Sequence, residues 1–331
     1  MAKKNQRNYV CFDLGSCNTR IYISGKGVIY NEPTLLVKDI KKDKITHYGK
    51  NAREVIGKLT KSQQVCYPIV GGVISDFSLL NKYLKLAIDK FLPDIRDSII
   101  TVACPSMISE LEKSYLVKAI KILEPHRINV VEDGKLAIYG AGFDITSNNA
   151  YLGLDIGGGT VTAMSVVGNS IISQTSTKKG GSSFDAEITK LIKKHYNTLI
   201  GELTAEQIKV SVVSLLKENK KISVFGYDIN TGMPTNIEVD GNVFNKLVVS
   251  FYERYTSLIS ALLEKLPKEA IIDICKTGLI LTGGFSKIKG VKEYMEEFFS
   301  LPVHISHKFA SDAVINGAIK YENIYELDDQ T

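Results

Sequence analysis

The chain lacks most of the features that would place it at once. Its 331 residues hold five cysteines, Cys11, Cys17, Cys66, Cys104 and Cys275, and none forms a CxxC pair. A disulfide framework or a zinc site is therefore not expected, and the thiols read as reduced ones in a cytosolic protein. No apolar run reaches the ~18 residues of a membrane span. The opening MAKKNQRNYV has no apolar core of signal-peptide kind, so the expectation is a soluble cytoplasmic protein. The net charge of +5 is mild; it permits acidic partners without requiring them, and nothing points to nucleic acid. The five histidines do not cluster beyond His304 and His307, for which a surface or structural role is expected over ligation. There is no P-loop (GxxxxGK followed by Ser or Thr) and no GxGxxG, which sets those two phosphate-binding schemes aside.

What is present is a device used twice. LDIGGGTVT, Leu154 to Thr162, runs from an apolar strand through one Asp into three glycines and a threonine. FDLGSCNTR, Phe12 to Arg20, has the same plan. Each is followed by hairpin-like strands and then by amphipathic helices, and the pattern restarts after Ser147 to Asn149. An internal duplication follows, with two α/β lobes and a ligand cleft expected between them. Glycine after a strand lets backbone N–H groups approach an anion, and Thr160 adds a hydroxyl. Asp13 and Asp155 would repel phosphate unless a cation stands between, which suits Mg²⁺ held largely through water. A third strand–Gly-Gly–helix element, LTGGFSKIKG at Leu281 to Gly290, would let a base and ribose approach the backbone.

These elements, in this order, resemble the actin, sugar-kinase and heat-shock-chaperone ATPase superfamily. Nearly the whole chain is similar to its MreB branch, the bacterial actin homologues. The likeness rests on FDLGSCNTRIYISGKGVIYNEP, VVEDGKLAIYGAG, LDIGGGTVT, LTAEQIK, INTGMPTNIEV and LILTGGFSKIKGV, with NEP at Asn31–Pro33 and TGMP at Thr231–Pro234 specific to that branch. The resemblance implies an actin-like (ribonuclease-H-like) α/β fold of two duplicated lobes around a nucleotide cleft. Lobe I would span 1–149 with a subdomain inserted at about 36–66, and lobe II 150–331 with one at about 186–250. It implies ATP or ADP with Mg²⁺ as ligands and head-to-tail polymerisation. The partners would be further copies, MreB-type paralogues and, at the inner face of the membrane, lipid. Phe91 and Leu92 are the residues available for lipid contact, unless they close the preceding helix in the core.

Residue by residue, the resemblance assigns the phosphates to Gly15, Ser16, Cys17 and Asn18 in the first loop and to Gly157, Gly158, Gly159 and Thr160 in the second. Asp13 and Asp155 would share the metal shell. Gly181 would add backbone, Glu206 and Lys209 would reach ribose or adenine, and Gly283, Gly284 and Phe285 would line the adenosine end. The family usually has Glu-Glu-Pro where this chain has Glu132-Asp133-Gly134, and the second Glu orients the attacking water. Asp133 inherits that role with about 1.5 Å less reach, and a misplacement near 1 Å costs on the order of 100-fold in rate. Thr162 stands where the family often has an acid. Weak hydrolysis is therefore expected. The rival readings are a nucleotide-bound scaffold without turnover, a small-molecule kinase and a chaperone-like ATPase. The last two lack an acceptor segment and a substrate domain.

Overall fold

The computed structural model describes residues 7–305 and 310–324. The chain divides at Ser147/Asn148 and again at Ala310/Ser311 into two compact units, the first taking up the chain once more from Ser311.

In the first unit β1 (Tyr9–Leu14), β2 (Asn18–Ile23) and β3 (Gly27–Pro33) form an antiparallel meander. A small sheet follows, β4 (Leu36–Asp39), β5 (Lys44–Tyr48) and β6 (Gln63–Cys66), with α1 (Gly49–Glu54) between the last two. Then come the short hairpin β7 (Ile69–Val70) and β8 (Val73–Ile74), and the helices α2 (Phe77–Ile88) and α3 (Leu92–Ile95). The pair β9 (Ile99–Cys104) and β10 (Arg127–Glu132) runs parallel to β1, with α4 (Glu110–Lys121) as crossover and α5 (Asp133–Gly140) after it. The sheet order is β10-β9-β1-β2-β3. Asp76 caps α2 by accepting from the Leu79 N–H, and Ser109 with Glu112 closes a capping box on α4.

The second unit repeats the plan. β11 (Tyr151–Ile156), β12 (Val161–Val167) and β13 (Ser170–Thr177) make the meander, followed by α6 (Gly181–Tyr196). β14 (Thr198–Leu199), α7 (Glu202–Val212), β15 (Lys221–Asp228) and β16 (Pro234–Asp240) build the inserted sheet region. α8 (Asn245–Leu263) and α9 (Lys268–Thr277) lead to the parallel pair β17 (Leu279–Thr282) and β18 (Val303–Ile305), with α10 (Val291–Phe299) between. The order β13-β12-β11-β17-β18 matches the first sheet strand for strand. The central strands β1 and β11 are apolar on both faces because helices cover the sheet, and each reads Tyr9–Phe12 or Tyr151–Leu154 before its Asp. Each unit has its own apolar core, around Phe12, Tyr83 and Ile100 in the first and Phe184, Phe251 and Leu281 in the second.

Three features depart from the sequence reading. The subdomain expected at about 36–66 consists of three short strands around a charged turn, and α9 is a helix that no quoted motif marks. The last helix, α11 (Ala313–Lys320), falls within the 150–331 span expected for lobe II but packs in the first unit on α5, β1 and β9. Its approach to α5 is so close that a Cβ on Gly140 would stand 1.8 Å from the Ala313 carbonyl oxygen. Phe91 and Leu92 pack against the first unit's core. Among the described residues no helix is long and apolar enough to cross a membrane. His304 is exposed on β18, and His307 lies outside the described residues.

Candidate functional site

Both glycine loops form the same turn. The Gly15 N–H donates to the Asn18 carbonyl at 3.1 Å, and the Gly157 N–H to the Thr160 carbonyl at 2.9 Å. A Cβ on Gly15 would meet the Asn18 oxygen at 2.8 Å, and one on Gly157 the Thr160 oxygen at 2.9 Å. Only glycine closes these turns without displacing backbone. Asp13, Gly15, Asn18 and Arg20 thus recur as Asp155, Gly157, Thr160 and Thr162. Both loops leave the carboxyl ends of central strands, where open α/β sheets bind ligands.

The first unit surrounds its carboxylate with charge. Asp13 and Arg20 are register partners across β1 and β2, and the Arg20 Nη1 donates to Asp13 Oδ2 at 3.1 Å. The same guanidinium donates through Nε to Asp312 Oδ1 at 2.9 Å, at the head of α11. Burial pushes the Asp13 carboxyl above its ordinary range, and Arg20 draws it back. The Ser16 hydroxyl accepts from the Gly72 N–H at 2.8 Å, which ties the loop to the β7–β8 hairpin. Cys17 is exposed on the loop, and Asn18 opens β2.

Asp133 is the first residue of α5. Its Oδ1 accepts three hydrogen bonds, from the Ser106 N–H at 3.2 Å, the Ser106 hydroxyl at 3.0 Å and the Gly134 N–H at 2.7 Å. The carboxylate is thereby held against the loop after β9.

The second unit brings together most of the residues assigned to it. Asp155 Oδ1 accepts from the Thr282 hydroxyl on β17 at 2.7 Å. The Gly181 and Ser182 N–H groups donate to the Gly157 and Gly158 carbonyls at 3.0 and 2.9 Å. The start of α6 therefore buttresses the glycine loop, and Gly181 contributes there as a support. Lys209 on α7 lies 2.7 Å from Asp185 Oδ2 and 3.4 Å from the Gly181 carbonyl oxygen, with its ammonium 5.9 Å from the centre of the Phe285 ring. Asp185 Oδ1 is buried without a hydrogen-bond partner, and burial raises its carboxyl above the usual range against the pull of Lys209. Glu206 stands half-buried three residues before Lys209 on α7. Gly283 has φ +84 and donates to the Ala310 carbonyl at 2.7 Å, and a Cβ there would meet the Ile156 oxygen at 2.3 Å. Around Gly284 there is open space. The Phe285 ring is core, stacked on Tyr252 and tilted against Phe184, so what it can offer a ligand is backbone.

The residues that sequence reasoning missed are the partners: Arg20, Asp312, Ser106, Thr282 and Asp185. Arg20 and Thr282 lie inside the quoted motifs, where a charge and a hydroxyl were the available signals. The donor set fits Mg²⁺. Asp13 and Asp155, each at the tip of its own unit's central strand, offer carboxylate oxygens of the kind Mg²⁺ takes, and among the described residues no group of three or more His, Cys, Asp or Glu stands ready to hold a metal. A cation at either carboxylate would take its other ligands from phosphate and water.

A family model described as MreB/Mbl protein matches residues 7–329. The cell shape-determining protein Mbl of Bacillus subtilis is 29% identical over 321 residues, covering 95% of this chain and 96% of the relative. The crystal structure of MreB5 of Spiroplasma citri bound to AMPPNP matches at a TM-score of 0.93 and 30% identity, over 98% of this chain and 99% of that one. Its ADP-bound form matches at 0.93 and 31%, with the same coverage. A MamK double helical filament matches at a TM-score of 0.76 and 18% identity, over 96% and 99%. That last likeness concerns the fold alone, which is actin-like.

Proposed function

The chain belongs to the MreB/Mbl family, and from that premise we propose that it is an actin-like cytoskeletal ATPase. It binds ATP or ADP, assembles head-to-tail with further copies into protofilaments, and serves bacterial cell shape or motility. A heterologous contact that does not close yields filaments in general. The observation that carries the reading is the repeated turn, with an Asp two residues before Gly15 and before Gly157 and the same N–H to carbonyl closure in both. The MreB5 structures with AMPPNP and ADP support a nucleotide as the ligand.

The roles follow from the chemistry of each group. Gly15 and Gly157 close the turns with their own N–H groups, and the loops so closed, Ser16 to Asn18 and Gly158 to Thr160, present backbone N–H groups and hydroxyls to the phosphates. Bound Mg²⁺ would neutralise phosphate charge, with Asp13 and Asp155 facing it through water. Glu206 and Lys209 face the sugar and base, as do the backbones of Gly283, Gly284 and Phe285. Asp133 orients the attacking water. It is short for that task, and three donors on Oδ1 hold it back at the start of α5. Hydrolysis is therefore slow.

The test is phosphate release and sedimentation measured together with Mg-ATP, for the wild type and Asp133→Glu. Filaments with slow release that quickens on the order of tenfold in Asp133→Glu match the reading. Filaments with no release from either protein would mean a nucleotide-bound scaffold. Brisk release without filaments would overturn the cytoskeletal role.

A further inference from the structure

The two repeats handle the same charge problem differently, and the difference falls at equivalent positions. Asp155 pairs in register with Thr162 on β12 and with Thr282 on β17, a hydroxyl residue on each side. Asp13 has Arg20 at the position of Thr162. The β1–β9 ladder pairs Phe12 with Val102, so the residue at the position of Thr282 is Ala103. The first carboxylate thus has a guanidinium and a methyl group where the second has two hydroxyls. Both ends of the Asp13–Arg20 pair are mostly buried, with side chains 14% and 12% exposed.

We propose that Arg20 is a positioning residue that stands in for the cation at Asp13, so that magnesium-dependence of nucleotide binding resides mainly at Asp155. This rests on the nucleotide reading above. Arg20 offsets one of the two carboxylates it holds, the buried Asp13 and the more exposed Asp312, so that Asp13 presents less negative charge to an approaching phosphate. Deprived of it, Asp13 is a buried, uncompensated anion at the mouth of the phosphate loop, and only an added cation relieves the repulsion. Asp312 completes the arrangement. Its bond to Nε leaves Nη1 for Asp13, and this two-point hold fixes the planar guanidinium. A lysine cannot make both bonds from one rigid fork.

The measurement is the affinity for a fluorescent ATP analogue, in excess Mg²⁺ and in EDTA, for the full chain. The quantity read is the ratio of the two dissociation constants. In the wild type the ratio is the one that Asp155 mainly sets, on the order of tenfold. In Arg20→Leu it grows by roughly tenfold, because binding in EDTA weakens while binding in Mg²⁺ changes little. Arg20→Lys gives an intermediate ratio. Asp13→Asn/Arg20→Leu returns the ratio close to the wild-type value, since the buried anion and its partner leave together and Asp312, 37% exposed, is left to solvent; a merely structural Arg20 would not be rescued this way. Thermal melting of each variant without nucleotide shows that it is folded. An unchanged ratio in folded Arg20→Leu overturns the proposal, as does a raised ratio that Asp13→Asn fails to reverse. A wild type that binds no nucleotide in either buffer is a different result: it removes the functional reading itself and this inference with it.

Discussion

The two halves of the chain share one backbone device and differ in what surrounds it. Sheet order, strand directions and the Gly–x–x–carbonyl turn are the same in both. The turn is dictated locally, because a Cβ at Gly15 or Gly157 would meet a carbonyl oxygen closer than 3 Å. The neighbours are not so constrained. The first loop is tied to the β7–β8 hairpin through the Ser16 hydroxyl and to the chain after β3 by the Thr34 N–H on the Cys17 carbonyl, whereas the second is backed by two N–H groups from α6. The first carboxylate is paired to a cation, the second to a hydroxyl. The lesson is that duplication preserves what the backbone requires and frees what side chains can supply in more than one way.

The largest effect tests the shared part. Gly157→Ala and Gly15→Ala should each open the turn, at a cost of about 2–3 kcal/mol in unfolding and with loss of nucleotide binding. Gly157→Ala should be the worse, because its displaced loop also carries the bonds from Gly181 and Ser182. Urea unfolding and nucleotide titration measure both. Equal tolerance of the two substitutions would break the claim that the second loop is the more firmly backed. Next in size, Asp155→Asn should remove most of the Mg²⁺-dependence of binding, roughly tenfold, and Asp13→Asn only about threefold. The reverse order would show that Arg20 does not compensate Asp13. Smaller again is a conversion of the first repeat into the second. Adding Ala103→Thr to Arg20→Thr gives Asp13 the hydroxyls that Asp155 has, and should recover about threefold of the affinity that Arg20→Thr loses in EDTA. No recovery would mean that the neighbouring hydroxyls of the second repeat are incidental.

Much of this was legible in the sequence, and what was not shares a cause. The repeated Asp–Gly plan, the meanders and the long amphipathic helices are local patterns, and the structure holds them. The β4–β6 sheet escaped because its strands are only four or five residues long and two of them flank the charged turn at 40–43. The packing of α11 on α5, and the Arg20–Asp312 and Ser106–Asp133 bonds, join residues far apart in the chain. Composition and periodicity carry no trace of such pairs. Phe285 shows the converse: a family position points to the ligand, yet its ring lies 5.0 Å from Phe184 in the core and only its backbone is available.

A last effect, of about the same size, concerns the ends of β9 and β17, where the two repeats differ. In register with Gly283, whose N–H closes onto Ala310, the first repeat carries Cys104. Its thiol is pushed up from 9.0 to about 12, first by burial and then by the nearby Glu132 and Asp133 carboxylates. In the unfolded chain the thiol gives up its proton near the ordinary value, while the native state keeps it to about 12. Between those two values the native state binds more protons than the unfolded one. Stability from this group is therefore complete below the unfolded value and is lost as pH rises. The loss between pH 8 and pH 9.5 should be about 0.8 kcal/mol. Cys104→Ala should remove that slope while leaving the alkaline slopes of the buried tyrosines in place. Urea unfolding of the wild type and Cys104→Ala at the two pH values measures the difference. Parallel curves would mean that burial does not hold the Cys104 thiol protonated in the native state.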